Sequence, residues 1–338
     1  MSLEGKVVLV TGGTGSFGRK FADVVLREYR PKKLIIFSRD EFKQDEMMNS
    51  GYTHPSIRYF IGDVRDKSRL YRALDGVDVV VHAAALKQVP ACEYNPLEAV
   101  KTNVIGTANL VEAAVDRDVQ RVLAISTDKA LVPVSLYGAT KLCADKLFIA
   151  ANSYAGSHGS RFSVTRYGNV LGSRGSVVPL FRKLAPGGVL PITDLRMTRF
   201  WLTLEQGVRF VLKCLGEMEG GEIFVPKIPS LRITDLAESI APGCKMNVVG
   251  LRPGEKLHEV LVSEEDARHT VEYEDHYVTL APFRPESAEA RKKSKGGRPC
   301  PEGFRYASDT NDRWISREEL KGILDRYNTE NNVTMPRS

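Results

Sequence analysis

A glycine-rich turn directly after the first strand-like segment constrains the fold of this chain most strongly. The apolar run Lys6–Thr11 leads straight into Gly12-Gly13-Thr14-Gly15-Ser16-Phe17-Gly18, and an amphipathic, helix-length segment follows. The first glycine of the triplet permits a tight turn, the second lets backbone N–H groups approach a pyrophosphate, and the third allows close helix–strand packing. The segment therefore predicts a dinucleotide-binding βα turn. The expected cofactor contacts are Gly12, Gly15, Ser16, Phe17 and Gly18.

The same alternation continues to about Gly168. Short runs rich in Val and Ile alternate with longer amphipathic stretches, which is the βαβ pattern of a parallel sheet covered on both faces. The predicted strands are Lys6–Thr11, Lys33–Ser38, Ile57–Ile61, Val77–His82, Arg121–Ser126 and Phe162–Tyr167. The predicted helices include Phe17–Glu28, Pro96–Val115 and Leu136–Ser153. This pattern predicts an α/β fold, a Rossmann-type doubly wound parallel sheet with a smaller C-terminal substrate lobe.

Beyond Gly168 the regular alternation ends, and the sequence predicts short elements that are interrupted by Gly and Pro. We therefore predict an NADP-binding domain over residues 1–168, which later segments can join, and a region over 169–338 that is mainly substrate lobe and C-terminal extension. Two helices are predicted there, Leu204–Leu215 and Thr234–Ile240. Ser316-Arg317-Glu318-Glu319 has the spacing of a capping box, which predicts a final helix to about Tyr327.

Composition excludes several classes of protein. The 338 residues carry a net charge of +6, and no apolar run approaches the roughly 18–20 residues that span a bilayer. A strand-like segment begins within a few residues of the amino terminus, so we expect no signal peptide, no membrane partner and a cytoplasmic protein. The five cysteines form no C-x-x-C pair, so no metal site is expected. The basic run Arg291–Arg298 lacks interleaved aromatics, which favours a solvated loop over a nucleic-acid site; we assign residues 291–301 no role.

The end of the second strand bears on the choice of cofactor. Ser38 and Arg39, with Lys43 one helical turn later, offer donors for a 2′-phosphate, so NADP is favoured over NAD. The alternative makes Arg39 and Lys43 exposed charges whose local partners are Asp40 and Glu41.

Further cofactor contacts are expected at the ends of the following strands. Asp63 and Val64 come after the third strand, where an adenine would rest, and Ala83 is a small residue after the fourth. These positions, with Asp40 and Val170, complete the predicted cofactor set.

Tyr137 and Lys141 form the central pair. Four-residue spacing at the start of a helix places both side chains on one face. A lysine ammonium there is expected to lower the pKa of the tyrosine and to hold the nicotinamide ribose, so that the phenolate acts as a base.

These motifs resemble those of the extended short-chain dehydrogenases/reductases. More narrowly, the chain resembles the short, soluble, inverting UDP-N-acetylglucosamine 4,6-dehydratases that open pseudaminic acid biosynthesis. Tyr at position 137 favours that group, because the membrane-bound retaining relatives carry Met there. The resemblance extends from Gly12 to at least Glu259. The segments that carry it are Ser126-Thr127-Asp128-Lys129-Ala130, Tyr137-Gly138-Ala139-Thr140-Lys141, Arg166-Tyr167-Gly168-Asn169-Val170-Leu171-Gly172-Ser173-Arg174-Gly175-Ser176 and Leu251-Arg252-Pro253-Gly254-Glu255-Lys256.

The resemblance implies a mechanism for the catalytic set. Tyr137 takes the C4 hydroxyl proton, Thr127 hydrogen-bonds the same oxygen, and NADP takes up the hydride. The dTDP-glucose dehydratases carry Asp-Glu where this chain has Asp128-Lys129. A lysine whose pKa is lowered by burial or cationic neighbours would remove H5 and reprotonate C5 on the opposite face, while Asp128 acts as the acid at the leaving C6 hydroxyl. The alternative makes both charges a solvated loop pair.

The resemblance also implies a UDP-sugar partner. Basic residues suit its diphosphate because an arginine fork gives bidentate hydrogen bonds, and Glu255 is expected to bind a ribose hydroxyl. His82, which closes an apolar strand, is interpreted as a packed histidine. The candidate substrate contacts are Lys87, Asn169, Arg174, Arg199, Arg252 and Glu255.

Two other functions fit parts of the sequence. A UDP-hexose 4-epimerase shares the fold and the Tyr–Lys pair, but it needs no acid/base pair for elimination, so Asp128-Lys129 argues against it. A non-catalytic NADP-binding regulator would not be expected to keep Tyr137, Lys141 and a base together. Because related enzymes assemble as dimers through hexamers, a homo-oligomer is expected.

Overall fold

The computed structural model describes residues 2–156, 159–172, 177–281 and 296–333, with side chains to residue 329. The predicted substrate contact Arg174 and residues 291–295 of the basic run lie outside these ranges. Within them, no helix is both long and apolar enough to cross a membrane.

The strands of the described residues are β1 Val7–Thr11, β2 Lys33–Ser38, β3 Ile57–Ile61, β4 Val79–His82, β5 Arg121–Thr127, β6 Arg161–Tyr167, β7 Asn169–Val170, β8 Val189–Ile192, β9 Thr198–Leu202, β10 Ile223–Pro226, β11 Ser230–Arg232, β12 Lys245–Val248, β13 Val260–Val262, β14 Thr270–Glu272, β15 His276–Thr279, β16 Arg298–Pro299 and β17 Tyr306–Ala307.

The helices of the same ranges are α1 Ser16–Glu28, α2 Glu41–Asn49, α3 Lys67–Ala73, α4 Val89–Tyr94, α5 Pro96–Val100, α6 Gly106–Asp116, α7 Leu136–Tyr154, α8 Val177–Leu184, α9 Leu204–Glu217, α10 Ile233–Ile240, α11 Glu264–Ala267 and α12 Arg317–Val333. Short 3₁₀ turns lie at Asp128–Ala130 and Ala185–Gly187, and a π-helical turn lies at Lys101–Ile105.

The first six strands form a parallel sheet in the order β3-β2-β1-β4-β5-β6. This is the Rossmann order, in which the chain reverses direction across the sheet between β1 and β4. All five residues of β1 are buried, since helices cover both faces of the sheet. The predicted α/β fold class is confirmed.

The main sheet continues beyond residue 168. β10 joins β6 in parallel, and antiparallel strands β15, β14 and β16 extend that edge, so the sheet has ten strands among the described residues. The boundary drawn from the sequence at residue 168 therefore does not coincide with the edge of the sheet. Arg298, from the basic run, lies in the edge strand β16 opposite Glu272.

The remaining C-terminal elements pack into a lobe with its own apolar core. This lobe contains the three-stranded sheet β11-β9-β7 and the parallel pair β12-β8, and its core includes Trp201, Leu236 and Leu320. The predicted capping box is present: the Ser316 hydroxyl accepts from Glu319 N at 3.1 Å, and Glu319 Oε2 accepts from Ser316 N at 3.0 Å. It fixes the start of α12.

One predicted helix is interrupted. Residues Pro96–Val115 were expected to form a continuous helix, but a π-helical turn separates α5 from α6. Within this turn the Asn103 side chain accepts from Leu86 N at 2.8 Å and donates to Leu86 O at 2.9 Å and to Thr140 Oγ1 at 3.0 Å. The extra residue of the turn thus lets a helical side chain hold the loop after β4, in keeping with the occurrence of π-bulges at functional sites.

Candidate active site

The glycine-rich turn has no room for side chains. Gly12 has φ +65°, and a Cβ there would lie 3.0 Å from the backbone of Ala84 in the loop after β4. A Cβ on Gly18 would lie 2.3 Å from Gly13 O, so only glycine lets α1 start this close to the turn. The Thr11 hydroxyl accepts from Ala83 N at 3.1 Å and ties the two loops together. A backbone cradle at the N-terminus of α1, adjoining Ser16 and Phe17, fits a cofactor pyrophosphate.

The charges after β2 have local partners. Asp40 caps α2 by accepting from Lys43 N at 3.1 Å, and its carboxylate also pairs with the Lys43 ammonium. Arg39 is half-exposed, with Nη1 3.8 Å from Asp63 Oδ2. Ser38 is buried, and its hydroxyl accepts from the Gln44 amide at 3.1 Å. Lys43 therefore has the partner that the alternative interpretation gave it, and the preference for NADP over NAD stays a prediction.

The loop after β3 is held by an ion pair and by close packing. The Asp63 carboxylate accepts from Arg65 N at 3.0 Å and pairs with the Arg65 guanidinium at 2.7 Å. Val64 is buried, and it leaves no space for a Cβ on Gly106, which would lie 2.7 Å from Val64 Cγ2. These contacts fix the loop where an adenine was expected.

Tyr137 and Lys141 lie on the first two turns of α7. The Ser135 hydroxyl caps this helix by accepting from Gly138 N at 3.2 Å. Both side chains are buried, and Lys141 Nζ donates to Ile125 O at 2.9 Å, next to the carboxyl end of β5. The helix therefore presents the pair at the edge of the sheet where doubly wound folds bind ligands.

The expected lowering of the pKa of Tyr137 by Lys141 is wrong for this arrangement. Burial raises the pKa of Tyr137 to about 12, and the Lys129 ammonium and the Thr127 hydroxyl offset only part of that rise. Burial also lowers the pKa of Lys141, although the Asp145 carboxylate opposes the change. Desolvation of the phenol dominates because its surroundings are apolar, with Cys92, Ala99 and Val89 in the same cluster.

The turn that carries Lys129 packs directly on α7. A Cβ at Gly138 would lie 2.2 Å from Lys129 O, so glycine is required for this approach. Thr127 begins the turn: its hydroxyl accepts from Lys129 N at 3.3 Å and donates to Asp128 Oδ1 at 2.8 Å. Asp128 is fully buried, and its Oδ2 has no hydrogen-bond partner among the described residues. That oxygen is a buried acceptor with unused hydrogen-bonding capacity.

The expected lowering of the pKa of Lys129 is also wrong. Its Nζ lies 3.0 Å from Asp128 Oδ1 and 3.0 Å from Glu259 Oε1. Although burial alone would lower the pKa of Lys129, the two carboxylates raise it well above its usual value. Burial and the nearby Glu259 charge raise the pKa of Asp128. The neighbours of Lys129 are thus anionic at contact distance, where cationic ones had been expected.

Three residues that sequence reasoning did not place in the catalytic centre surround Lys129 from the opposite side. Glu259 directly precedes β13, and its Oε2 lies 3.6 Å from Lys256 Nζ while its Oε1 lies 3.8 Å from Arg199 Nε. Arg199, predicted to bind the diphosphate, donates to the backbone oxygens of Thr198, Leu257 and Lys256 at 2.7 to 3.0 Å. An acidic residue immediately before an apolar run was the sequence signal for Glu259.

The remaining substrate candidates lie on three different segments of the chain. Lys87 and Arg252 are exposed, and Glu255 Oε2 accepts from Arg252 N at 3.3 Å. Asn169 and Val170 form β7 beside Trp201 and Leu202. Asn169 Oδ1 is buried without a hydrogen-bond partner in the described part of the chain.

His82 is enclosed in the core. Its Nδ1 lies 2.8 Å from Thr11 Oγ1, its Nε2 lies 3.4 Å from Thr107 Oγ1, and its ring stacks on Phe148. Burial lowers the pKa of His82 to about 3. It is a packed, neutral histidine, as the sequence indicated. Over the described ranges no group of three or more His, Cys, Asp or Glu side chains is arranged to hold a metal ion.

The Rossmann sheet, the glycine cradle and the Tyr137–Lys141 pair on α7 together define an extended short-chain dehydrogenase/reductase. Within that class, the family model described as polysaccharide biosynthesis protein matches residues 8–281. The chain belongs to that family.

Individual relatives narrow the comparison. The chain is 52% identical over 328 residues to a Campylobacter jejuni protein named UDP-N-acetylglucosamine 4,6-dehydratase (inverting), covering 95% of this chain and 98% of that one. It is 42% identical to a Rickettsia canadensis protein named UDP-glucose 4-epimerase, covering 80% of this chain and 82% of the relative.

Solved structures share the fold. The structure of Pen from Bacillus thuringiensis superposes with a TM-score of 0.88 and 36% identity, covering 97% of this chain and 99% of that chain. DesIV from Streptomyces venezuelae, a dTDP-glucose 4,6-dehydratase with NAD and TYD bound, gives a TM-score of 0.66 and 28% identity, covering 74% and 86%.

Proposed function

We propose that this protein is an inverting UDP-N-acetylglucosamine 4,6-dehydratase that uses NADP and forms a UDP-2-acetamido-2,6-dideoxy-hexos-4-ulose. The observation that carries the proposal is the Asp128–Lys129 pair, whose Oδ1 and Nζ lie 3.0 Å apart in the turn packed against the first turn of α7. An elimination needs an acid and a base together, whereas an epimerase does not. The Campylobacter jejuni relative is named for this reaction, and it aligns with nearly the whole chain.

The first step concerns the C4 hydroxyl of the sugar. Tyr137 would accept its proton, with the Thr127 hydroxyl bonding the same oxygen. Burial raises the pKa of Tyr137 to about 12 even with the Lys129 ammonium nearby, so formation of the phenolate would depend on further positive charge that a bound cofactor brings. Lys141 would hold the nicotinamide ribose. When bound, NADP would supply the hydride acceptor for C4 and the hydride donor for C6.

Elimination requires a base at H5 and an acid at the C6 hydroxyl. Transfer of one proton from Lys129 to Asp128 would give a neutral amine and a carboxylic acid; the raised pKa of Asp128, caused by burial and by Glu259, assists this transfer, and the raised pKa of Lys129 opposes it. The amine then takes H5 as the Asp128 proton leaves with the C6 hydroxyl as water. The Lys129 ammonium so formed supplies the proton that returns to C5, on the opposite face in an inverting enzyme.

Cofactor choice rests on the residues after β2. Ser38 and the half-exposed Arg39 offer donors for a 2′-phosphate, with Lys43 nearby if it leaves Asp40. The pyrophosphate would lie on the glycine cradle, and the adenine would lie beside Asp63 and Val64.

The nucleotide diphosphate would lie against the lobe. Asn169, whose Oδ1 has no hydrogen-bond partner among the described residues, and the exposed Arg252 would contact it, with Glu255 at a ribose hydroxyl. Lys87, Arg174 and Arg199 complete the proposed set. Residues 1–168 would carry most of the cofactor contacts, and residues 169–338 most of the substrate contacts.

In the cell we propose that the enzyme is a cytoplasmic homo-oligomer, from dimer to hexamer, serving pseudaminic acid biosynthesis. No nucleic-acid or membrane partner is proposed.

The test is proton NMR of UDP-N-acetylglucosamine with the purified protein in D2O, without added NADPH. A new C6 methyl signal, a C4 ketone or its hydrate, and deuterium at C5 are expected, and the coupling pattern reports inversion. UDP-N-acetylgalactosamine as the only product would instead identify a 4-epimerase, the name that the Rickettsia relative carries. An unchanged spectrum would refute both reactions for this substrate.

A further inference from the structure

A carboxylate from a distant segment contacts the proposed acid/base pair. Asp128 adjoins Lys129 in the chain, so their contact is local, but Glu259 arrives from the C-terminal half and lies equally close, 3.0 Å from Lys129 Nζ. We propose that Glu259 is a positioning residue that directs the Lys129 side chain and keeps its proton in place until the elimination begins. This role rests on the proposed function.

The backbone of Glu259 is fixed on both sides. Glu259 N donates to Ser308 Oγ at 2.9 Å, and Ser308 N donates to Glu259 O at 2.8 Å. Ser308 is fully buried, and its hydroxyl lies 2.7 Å from Thr198 Oγ1. A carboxylate anchored in this way keeps a constant position, so Lys129 is held relative to the lobe as well as to its own turn.

The position of Glu259 is not explained by a role as counter-ion for Arg199 and Lys256. The guanidinium of Arg199 is already bound by three backbone oxygens, and Lys256 Nζ donates to Leu131 O at 2.6 Å. Both cations lie 3.6 Å or more from the carboxylate, beyond the 3.0 Å separation to Lys129. Lys129 is therefore the cation nearest to this buried carboxylate.

Electrostatics give the contact a chemical consequence. The Glu259 anion stabilises the ammonium form of Lys129 and, by repulsion, makes Asp128 easier to protonate. Removing a contacting anion lowers the pKa of a lysine by roughly 1 to 3 units. Each unit raises the fraction of neutral amine about tenfold at a fixed pH. The charged and titratable groups around Lys129 are Asp128, Glu259, Lys256, Arg199 and Tyr137.

The test compares Glu259→Gln with Glu272→Gln, a matched control that removes a carboxylate paired with Lys227 at 2.7 Å elsewhere in the fold. Acetylation of Lys129 by acetic anhydride is followed by peptide mass spectrometry from neutral pH to about pH 11. In Glu259→Gln we expect acetylation at least about tenfold faster at a fixed pH, because a larger fraction of the amine is neutral. The control should label like the wild type.

A second measurement addresses catalysis. The pH profile of kcat should move toward acid in Glu259→Gln and stay in place in the control, because only the first variant changes the charge beside Lys129. If both labelling and profile match the wild type in a folded Glu259→Gln protein, Glu259 is merely structural and the inference is wrong. A higher labelling rate with an unchanged pH profile of kcat would indicate altered access, and it would also overturn the inference.

Two further results separate the possible failures. If the wild type forms no dehydrated product, the proposed function fails, while labelling still decides whether Glu259 controls the charge of Lys129. If circular dichroism shows that Glu259→Gln is unfolded, the Glu259→Asp variant is used to test the inference. This variant keeps the negative charge but moves it away from Lys129 by the length of one methylene group. Labelling between the wild-type rate and the tenfold increase supports the inference, and labelling at the wild-type rate refutes it.

Discussion

Replacing Gly138 by alanine tests whether the approach of α7 to the turn of Lys129 sets the catalytic geometry. A Cβ at this position would lie 2.2 Å from Lys129 O and 3.1 Å from Lys129 C. An ordinary C···O contact needs about 3.3 Å, so the turn and the helix must separate by roughly 1 Å. The atoms in conflict are backbone atoms, which no side-chain rotation can relieve.

The expected effect on catalysis exceeds the effect on stability. Alanine gains about 1 kcal/mol of helix propensity, and overpacking costs about 1 to 3 kcal/mol, so the free energy of unfolding should fall by no more than about 2 kcal/mol. A displacement of roughly 1 Å in a reacting group costs on the order of a hundredfold in rate. We therefore expect kcat for the dehydration to fall about a hundredfold, with binding of the dinucleotide cofactor retained because the glycine cradle is untouched.

The assay measures kcat by NMR at saturating substrate, cofactor binding by nucleotide fluorescence, and unfolding in urea. Gly322→Ala is the matched control: it lies in α12, and no atom lies within 4 Å of its added Cβ. The control should keep kcat and gain up to about 1 kcal/mol of stability. A folded Gly138→Ala enzyme with kcat within about twofold of wild type would show that the reasoning from the 2.2 Å contact is wrong.

Three other measurements follow from the described contacts. Asp145→Asn removes the carboxylate that lies 3.3 Å from the buried Arg166, which keeps its second partner Asp266 at 3.1 Å, so the free energy of unfolding should fall by about 1.5 to 3 kcal/mol in urea titration; a loss below about 1 kcal/mol would contradict this. His82 has a pKa lowered to about 3 by burial, so below pH 6.5 the unfolded chain takes up a proton that the folded chain does not. Stability should therefore fall between about pH 6.5 and 3, and His82→Gln should remove up to about 5 kcal/mol of that dependence, whereas parallel curves for variant and wild type would count against it. Arg39→Ala should weaken NADP about tenfold more than NAD in calorimetric titration, and an equal loss for both would exclude a 2′-phosphate contact.

The sequence by itself determined the fold class and predicted that Tyr137 and Lys141 share one helical face. Alternating apolar runs specified the six parallel strands, because buried strands and amphipathic helices leave different periodicities. The glycine turn could be predicted because only glycine fits where the backbone segments of the turn and the loop after β4 approach so closely. The four-residue spacing of Tyr137 and Lys141 placed both side chains on one helical face. These features depend on neighbours within a few residues, which the chain order displays directly.

Only the tertiary structure decided the directions of the pKa shifts of the site residues and which distant residues lie beside Lys129. Glu259 reaches Lys129 from the far lobe and reverses its expected pKa shift, while burial raises the pKa of Tyr137 against the expected effect of Lys141. The main sheet likewise takes up β10 and β14–β16 from beyond the boundary at residue 168. A pKa depends on every charge within a few ångströms and on the loss of water, and strand pairing depends on distant partners. Both are set by distances through space, which appear only once the chain is folded.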